Sequence, residues 1–132
     1  MPHKQVWVKG NAHVDEGVAA LIQALSSFPN LQTIESCQGE PSPRPKSDRE
    51  EGLPALVFFT YGLEQSSRPY QNIADFVLGY LGPGLNRTLG DLVNISLQIT
   101  DYGTRCDLIV RDGAVQSTVR AIRRLRREFP VL

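Results

Sequence analysis

Two histidines and two cysteines in 132 residues leave little room for metal or thiol chemistry. A structural zinc site needs four ligands that converge, usually in paired spacings. The chain has no Cys-x-x-Cys pair, and His3 and His13 stand alone near the N-terminus, so no metal site is expected. Cys37 and Cys106 are far apart in sequence, and two reduced thiols are the expectation for a cytoplasmic chain. No apolar run approaches the ~18 residues that a membrane-spanning helix requires. The opening Met1-Pro2-His3-Lys4-Gln5-Val6-Trp7 lacks the apolar core of a signal peptide, so a cytoplasmic location is expected. Without secretion, the sequons at Asn86-Arg87-Thr88 and Asn94-Ile95-Ser96 carry no weight. Gly-x-Gly-x-x-Gly, the P-loop, His-Glu-x-x-His and Gly-x-Ser-x-Gly are all missing, which leaves the common nucleotide, zinc-protease and hydrolase chemistries unsupported.

What is present fits one folded domain over residues 1–132. The hydrophobic share is 41% and the charged share 21%, values ordinary for a globular chain of this length. Net charge is zero, but it is unevenly spread. Residues 1–110 carry 8 basic and 12 acidic side chains, whereas residues 111–132 carry 6 arginines and 2 acids. That asymmetry points to an anionic partner, or to the tail helix docking on an acidic body.

Periodicity places the elements. Lys4 to Lys9 alternates and reads as a strand ended by Gly10-Asn11. Asp15 is a good N-cap for a helix over Val18 to Phe28, where Val18, Leu21, Ile22 and Leu25 form one apolar stripe. Leu31 to Ser36 reads as a strand running into Cys37-Gln38-Gly39. Glu40 to Gly52, with Pro41, Pro43 and Pro45, reads as a solvated loop or a flap beside Cys37. Leu53 to Tyr61 is apolar on both faces and reads as a central strand. Tyr70 to Leu81 reads as a helix capped by Ser67 and ended by Gly82-Pro83-Gly84. Asp91 to Thr100 alternates, with Val93, Ile95, Leu97 and Ile99 facing the core, and a turn at Asp101–Thr104 pairs it with Arg105 to Arg111. A last helix carries the seam Val115, Val119, Ile122, Leu125 and Phe129. The order β-α-β-β-α-β-β-α predicts an α+β two-layer sandwich: a mixed sheet of about five strands, ferredoxin-like or split β-α-β.

The most site-like stretch is Ser36-Cys37-Gln38-Gly39, a strand end with a sharp turn. Exposed backbone N–H groups and the Gln38 amide suit ligand binding. Cys37 is either a nucleophile or redox thiol, which needs a nearby cation to lower its pKa, or a small residue filling a strand end. No basic residue comes after it until Arg44. His13 and Asp15 precede the first helix, and in a parallel β-α-β unit that loop lies beside the end of the next strand. This makes them candidate ligand-binding partners of Cys37, although a capping Asp15 is already occupied. In the tail helix Arg120, Arg123, Arg124 and Arg127 are candidate RNA contacts, or a solvated face, with no interleaved aromatics for base stacking.

The run Val14-Asp15-Glu16-Gly17-Val18 through Leu25 and on to Thr33-Ile34-Glu35-Ser36-Cys37-Gln38-Gly39 resembles the N-terminal segment of the tRNA wybutosine-synthesis methyltransferase family. It is also similar to small bacterial proteins with the same helix, strand and Ser-Cys-x-Gly arrangement. The resemblance covers residues 13–39. It implies an α+β fold with a ligand site near Ser36, Cys37 and Gly39, and as ligands S-adenosylmethionine and a modified tRNA guanosine. The family's later motifs have no counterpart in residues 53–132. The sequence thus leads to a ligand-binding protein linked to RNA, with two alternatives: an S-adenosylmethionine-dependent enzyme on a tRNA nucleoside, or a homodimeric interaction module.

Overall fold

A computed structural model describes residues 5–8, 12–37, 54–62, 70, 72–101 and 103–130. The strands are β1 (Gln5–Val8), β2 (Ala12–Asp15), β3 (Leu31–Cys37), β4 (Ala55–Tyr61), β5 (Val93–Thr100) and β6 (Gly103–Val110). The helices are α1 (Ala19–Ser26), α2 (Ile73–Phe76), α3 (Gly82–Leu89) and α4 (Val115–Glu128). A π-helical segment, Val77–Leu81, joins α2 to α3, and 3-10 turns span Glu16–Val18 and Gly90–Leu92.

The α+β class matches the sequence pattern, but the mixed five-stranded sheet does not. Four strands form one sheet in the order β3-β4-β6-β5, antiparallel at every junction, and β1 with β2 forms a separate hairpin. The segment Ala12–Asp15 pairs back on β1 instead of leading straight into the helix. Because β4 and β5 each run antiparallel to β6, they are parallel to one another. The helical connection from β4 to β5 therefore crosses over β6, a split β-α-β unit.

One face of this sheet carries the core. Ala55, Val57, Phe59 and Tyr61 of β4 are buried, as are Cys106, Leu108 and Val110 of β6. Val57 opposes Leu108, and Phe59 opposes Cys106. Leu21, Ile22 and Leu25 of α1, Phe76 of α2, Leu85 of α3 and Ile122 of α4 join the same cluster. Each fully buried side chain of this size contributes ~1.5–3 kcal/mol. Aromatic rings fill the gaps between the helices: Tyr61 stacks on Phe76 at 4.4 Å, while Phe28 meets Phe76 and Phe129 edge-on at 5.2 Å. The Tyr80 hydroxyl donates to the Leu125 carbonyl, tying the π segment to α4.

The helix does not stop at Gly82-Pro83-Gly84. It runs on to Leu89, capped at its start by Asn72, whose Oδ1 accepts from the Asp75 N–H at 2.9 Å. Pro83 lacks an N–H, and its ring would strike the carbonyl one turn back in a regular α-helix. The π segment relieves this by widening the preceding turn: the Gly82 N–H bonds to Val77 O, five residues back. Ser67, the expected cap, lies outside the described residues.

Ile99 is also not in the core. It is 91% exposed, whereas Val93, Ile95 and Leu97 of the same strand pack against the cluster. Here β5 outruns the helix layer: Ile99 pairs with exposed Thr104 beside the hairpin turn.

A Cβ added at Gly82 would lie 2.7 Å from Val77 O, and one at Gly84 would meet the Leu125 methyl groups at 2.5–2.8 Å. Gly82→Ala is therefore expected to cost about 1–3 kcal/mol, outweighing the ~1 kcal/mol gained in helix propensity. A lowered urea midpoint at unchanged slope is the expected reading. A raised midpoint would mean that the π segment relaxes freely.

Candidate functional site

Among the described residues three regions carry the polar chemistry: the end of β3, the outer face of the sheet, and the solvent face of α4. At the end of β3, Ser36 pairs with Val57 and Cys37 with Leu56, so both stand beside the central strand β4. Ser36 is half-buried. The ladder is interrupted between Thr33 and Glu35, and the bulge leaves Ile34 54% exposed. A bulge bends a strand and re-aims the residues beyond it, so the orientation of the Ser36-Cys37 end is set by this irregularity. Gln38 and Gly39, and the Glu40–Gly52 flap, lie outside the described residues.

His13 and Asp15 are not in a loop. Both belong to β2, with His13 opposite Trp7 and Asp15 opposite Gln5 in the β1 ladder. A 3-10 turn separates Asp15 from α1, whose capping position is Val18, with no side-chain bond there. The parallel β1–β3 pairing that would set His13 beside Cys37 does not form, because β1 pairs with β2 instead. The β2 strand nevertheless passes alongside β3.

The outer face of the sheet holds a constellation that the sequence reading missed. The Arg105 guanidinium lies over the Phe58 ring at 4.2 Å, and its Nε and Nη2 donate to the Asp107 carboxylate at 2.8 and 3.4 Å. Asp107 is only 9% exposed and opposes Phe58 on β4 and Ser96 on β5. Strand parity could have found it: Arg105 and Asp107 share the face of β6 opposite to Cys106 and Leu108. With its cation held on two sides, the cluster braces the sheet; it does not present a free charge. At the nearby sheet end, an open groove of about 400 Å³ is lined by residues including Pro54, Asp91, Asn94, Ile109 and Arg111.

Cys106 is a fully buried thiol. Burial, with the Asp107 charge adding to it, pushes its pKa from 9.0 up to about 12. The thiolate that nucleophilic or redox chemistry needs is therefore withheld at neutral pH.

On α4, Arg120, Arg123, Arg124 and Arg127 fall at i, i+3, i+4 and i+7, and all four are exposed. Arg120 donates to Ser117 Oγ at 3.3 Å, and Arg124 to Glu128 Oε1 at 3.4 Å in a solvated pair. Arg123 and Arg127 have no carboxylate partner among the described residues. Arg126 differs. Its Nε donates to Ser27 O at 2.8 Å and its guanidinium approaches Phe129, which pins α4 to the turn after α1.

The fold and these features define a two-layer α+β protein with an arginine-faced C-terminal helix. Among the described residues no helix is long and apolar enough to cross a membrane. The chain matches no family model, curated protein or solved structure.

The Cys106 environment makes a linkage prediction. Between pH 9.0 and about 12 the unfolded chain releases a proton that the folded chain keeps. This thiol's contribution to stability is thus complete below the unfolded value and is lost as pH rises through the window. The urea midpoint is expected to fall from pH about 8 to about 10, and to fall less in Cys106→Val. Equal slopes in the two proteins would show that the thiol does not titrate in this way.

Proposed function

We propose that the chain is a small binding protein that holds the phosphate backbone of RNA on the solvent face of α4. The observation that carries this reading is the stripe of four exposed arginines, of which Arg123 and Arg127 face no carboxylate among the described residues. Over seven residues the stripe spans roughly 10 Å along the helix, room for a few consecutive phosphates. Guanidinium groups pair with phosphate oxygens bidentately, and counterion release supplies affinity without base recognition. The lack of aromatic side chains on this face favours backbone contact over base stacking. The logarithm of affinity for a fluorescent single-stranded RNA is expected to fall against the logarithm of salt, at a slope of about −0.7 for each phosphate neutralised. Arg123→Glu with Arg127→Glu should flatten that slope and weaken binding at least tenfold. Retention unchanged by the double substitution sinks the reading.

A second reading places a small ligand at Ser36-Cys37-Gln38-Gly39, and it is favoured by the bulge at Thr33–Glu35 just before the strand end. The ligand implied by the resemblance is S-adenosylmethionine, with a modified tRNA nucleoside as substrate. Calorimetry with S-adenosylmethionine is expected to give heat that Cys37→Ala or Gly39→Val diminishes. No heat at millimolar cofactor rules this ligand out.

A further inference from the structure

The two edges of the four-stranded sheet are built differently. The β3 edge is broken by the Thr33–Glu35 bulge and carries the exposed Glu35, two features that keep an edge from pairing with another chain. The β5 edge has neither. Val93–Thr100 reads Val-Asn-Ile-Ser-Leu-Gln-Ile-Thr, with no charge, no proline and no glycine, and its register with β6 is unbroken over all eight residues. Such an edge is a template for another strand.

We propose that the occupant is β5 of a second copy of this chain, paired antiparallel about a twofold axis at Ser96. The sequence of the strand is self-complementary about that point. Ser96 meets Ser96, Ile95 meets Leu97, Asn94 meets Gln98 and Val93 meets Ile99. Over these seven residues, Val93–Ile99, each apolar residue opposes an apolar one and each polar residue a polar one, and the ladder holds no charge; Thr100 lies past its end. Because each pair sums to an even register, the core-facing residues of both copies stay on one face of a continuous eight-stranded sheet. This explains the 91% exposure of Ile99. In the pair, the partner's Ile99 lies beside Val93, at a groove of about 180 Å³ lined by Gly82, Asn86, Gly90, Val93 and Ile95. The outer edges left over are both β3, bulged and carrying Glu35, so the assembly closes at two.

Light scattering on the full chain is expected to give twice the 14.7 kDa chain mass. Ile99→Lys, at a site with no core packing to lose, should raise the dissociation constant at least tenfold, about 1.4 kcal/mol or more. Leu78→Lys, at an apolar residue 68% exposed off this strand, should leave the dimer intact. Directly opposed Cβ atoms lie ~4.5–5.5 Å apart, close to disulfide range, so Ser96→Cys in a Cys37→Ser background should cross-link on oxidation and Asn94→Cys should not. A monomer at high micromolar concentration, a species heavier than two chains, dissociation by Leu78→Lys, or cross-linking by Asn94→Cys as fast as by Ser96→Cys would each overturn the proposal.

Discussion

The structure depends on the insertion of β6 between β4 and β5. β6 is the last strand in the chain, yet it supplies the centre of the sheet, where Cys106, Leu108 and Val110 have no exposure. One side of the ladder comes from a local hairpin, in which Thr100 Oγ1 bonds to Gly103 O at 2.7 Å and Gly103 takes a φ of +117°. The other side is the distant pairing with β4. Closing that second ladder requires the chain between β4 and β5 to cross the width of a strand that has not yet been made. Loop-closure entropy therefore opposes the sheet until the hairpin docks. The Val57–Leu108 and Phe59–Cys106 pairs then bury both rows together.

The crossover in turn dictates the helix layer. A helix lying over β6 must approach α4 closely, and Gly84 permits this: no side chain larger than hydrogen fits between it and Leu125. The aromatic rings of Phe28, Phe76 and Phe129 fill the space where α1, α2 and the end of α4 converge. With one side of α4 spent on Val119, Ile122 and Leu125, its arginines lie on the exposed side, where Arg120 reaches Ser117 and Arg124 reaches Glu128 within the helix. The exception is Arg126, at the boundary, which finds the Ser27 carbonyl. Within α4 the basic tail thus divides into one structural cation, Arg126, and the four exposed ones, Arg120, Arg123, Arg124 and Arg127.

Much of this was legible locally. The β5–β6 hairpin, the doubly apolar β4 and the seam of α4 come from period-2 and period-3.6 patterning within one segment. What failed was either non-local or compensated. Strand order is decided by pairing between distant segments, so a run of elements could not show that β6 enters the middle. Pro83 looked like a stop because a regular helix cannot hold it, and the π segment that accommodates it has no sequence signature of its own. Ala12–Asp15 is too short to show alternation beside a helix start, so β2 and its pairing of His13 with Trp7 were invisible. Of the candidate site, the strand-end position of Ser36 and Cys37 was readable, but their lateral neighbours were not. The Arg105–Asp107–Phe58 cluster was missed because its members come from two strands.

The same geometry accounts for where charge is absent. A central strand such as β6 can tolerate Arg105 and Asp107 on its outer face because each satisfies the other and Phe58 covers the cation. An edge strand has one neighbour fewer, and its exposed backbone gains from charges that repel a stray partner. β3 obeys that rule with Glu35 and its bulge; β5 departs from it while keeping an unbroken ladder and leaving Ile99 in water. An isolated monomer gains nothing from that departure, since a lysine at position 99 would cost no core packing and would shield the edge. The proposed pairing of β5 with its copy would give those hydrogen-bonding groups and apolar side chains a partner.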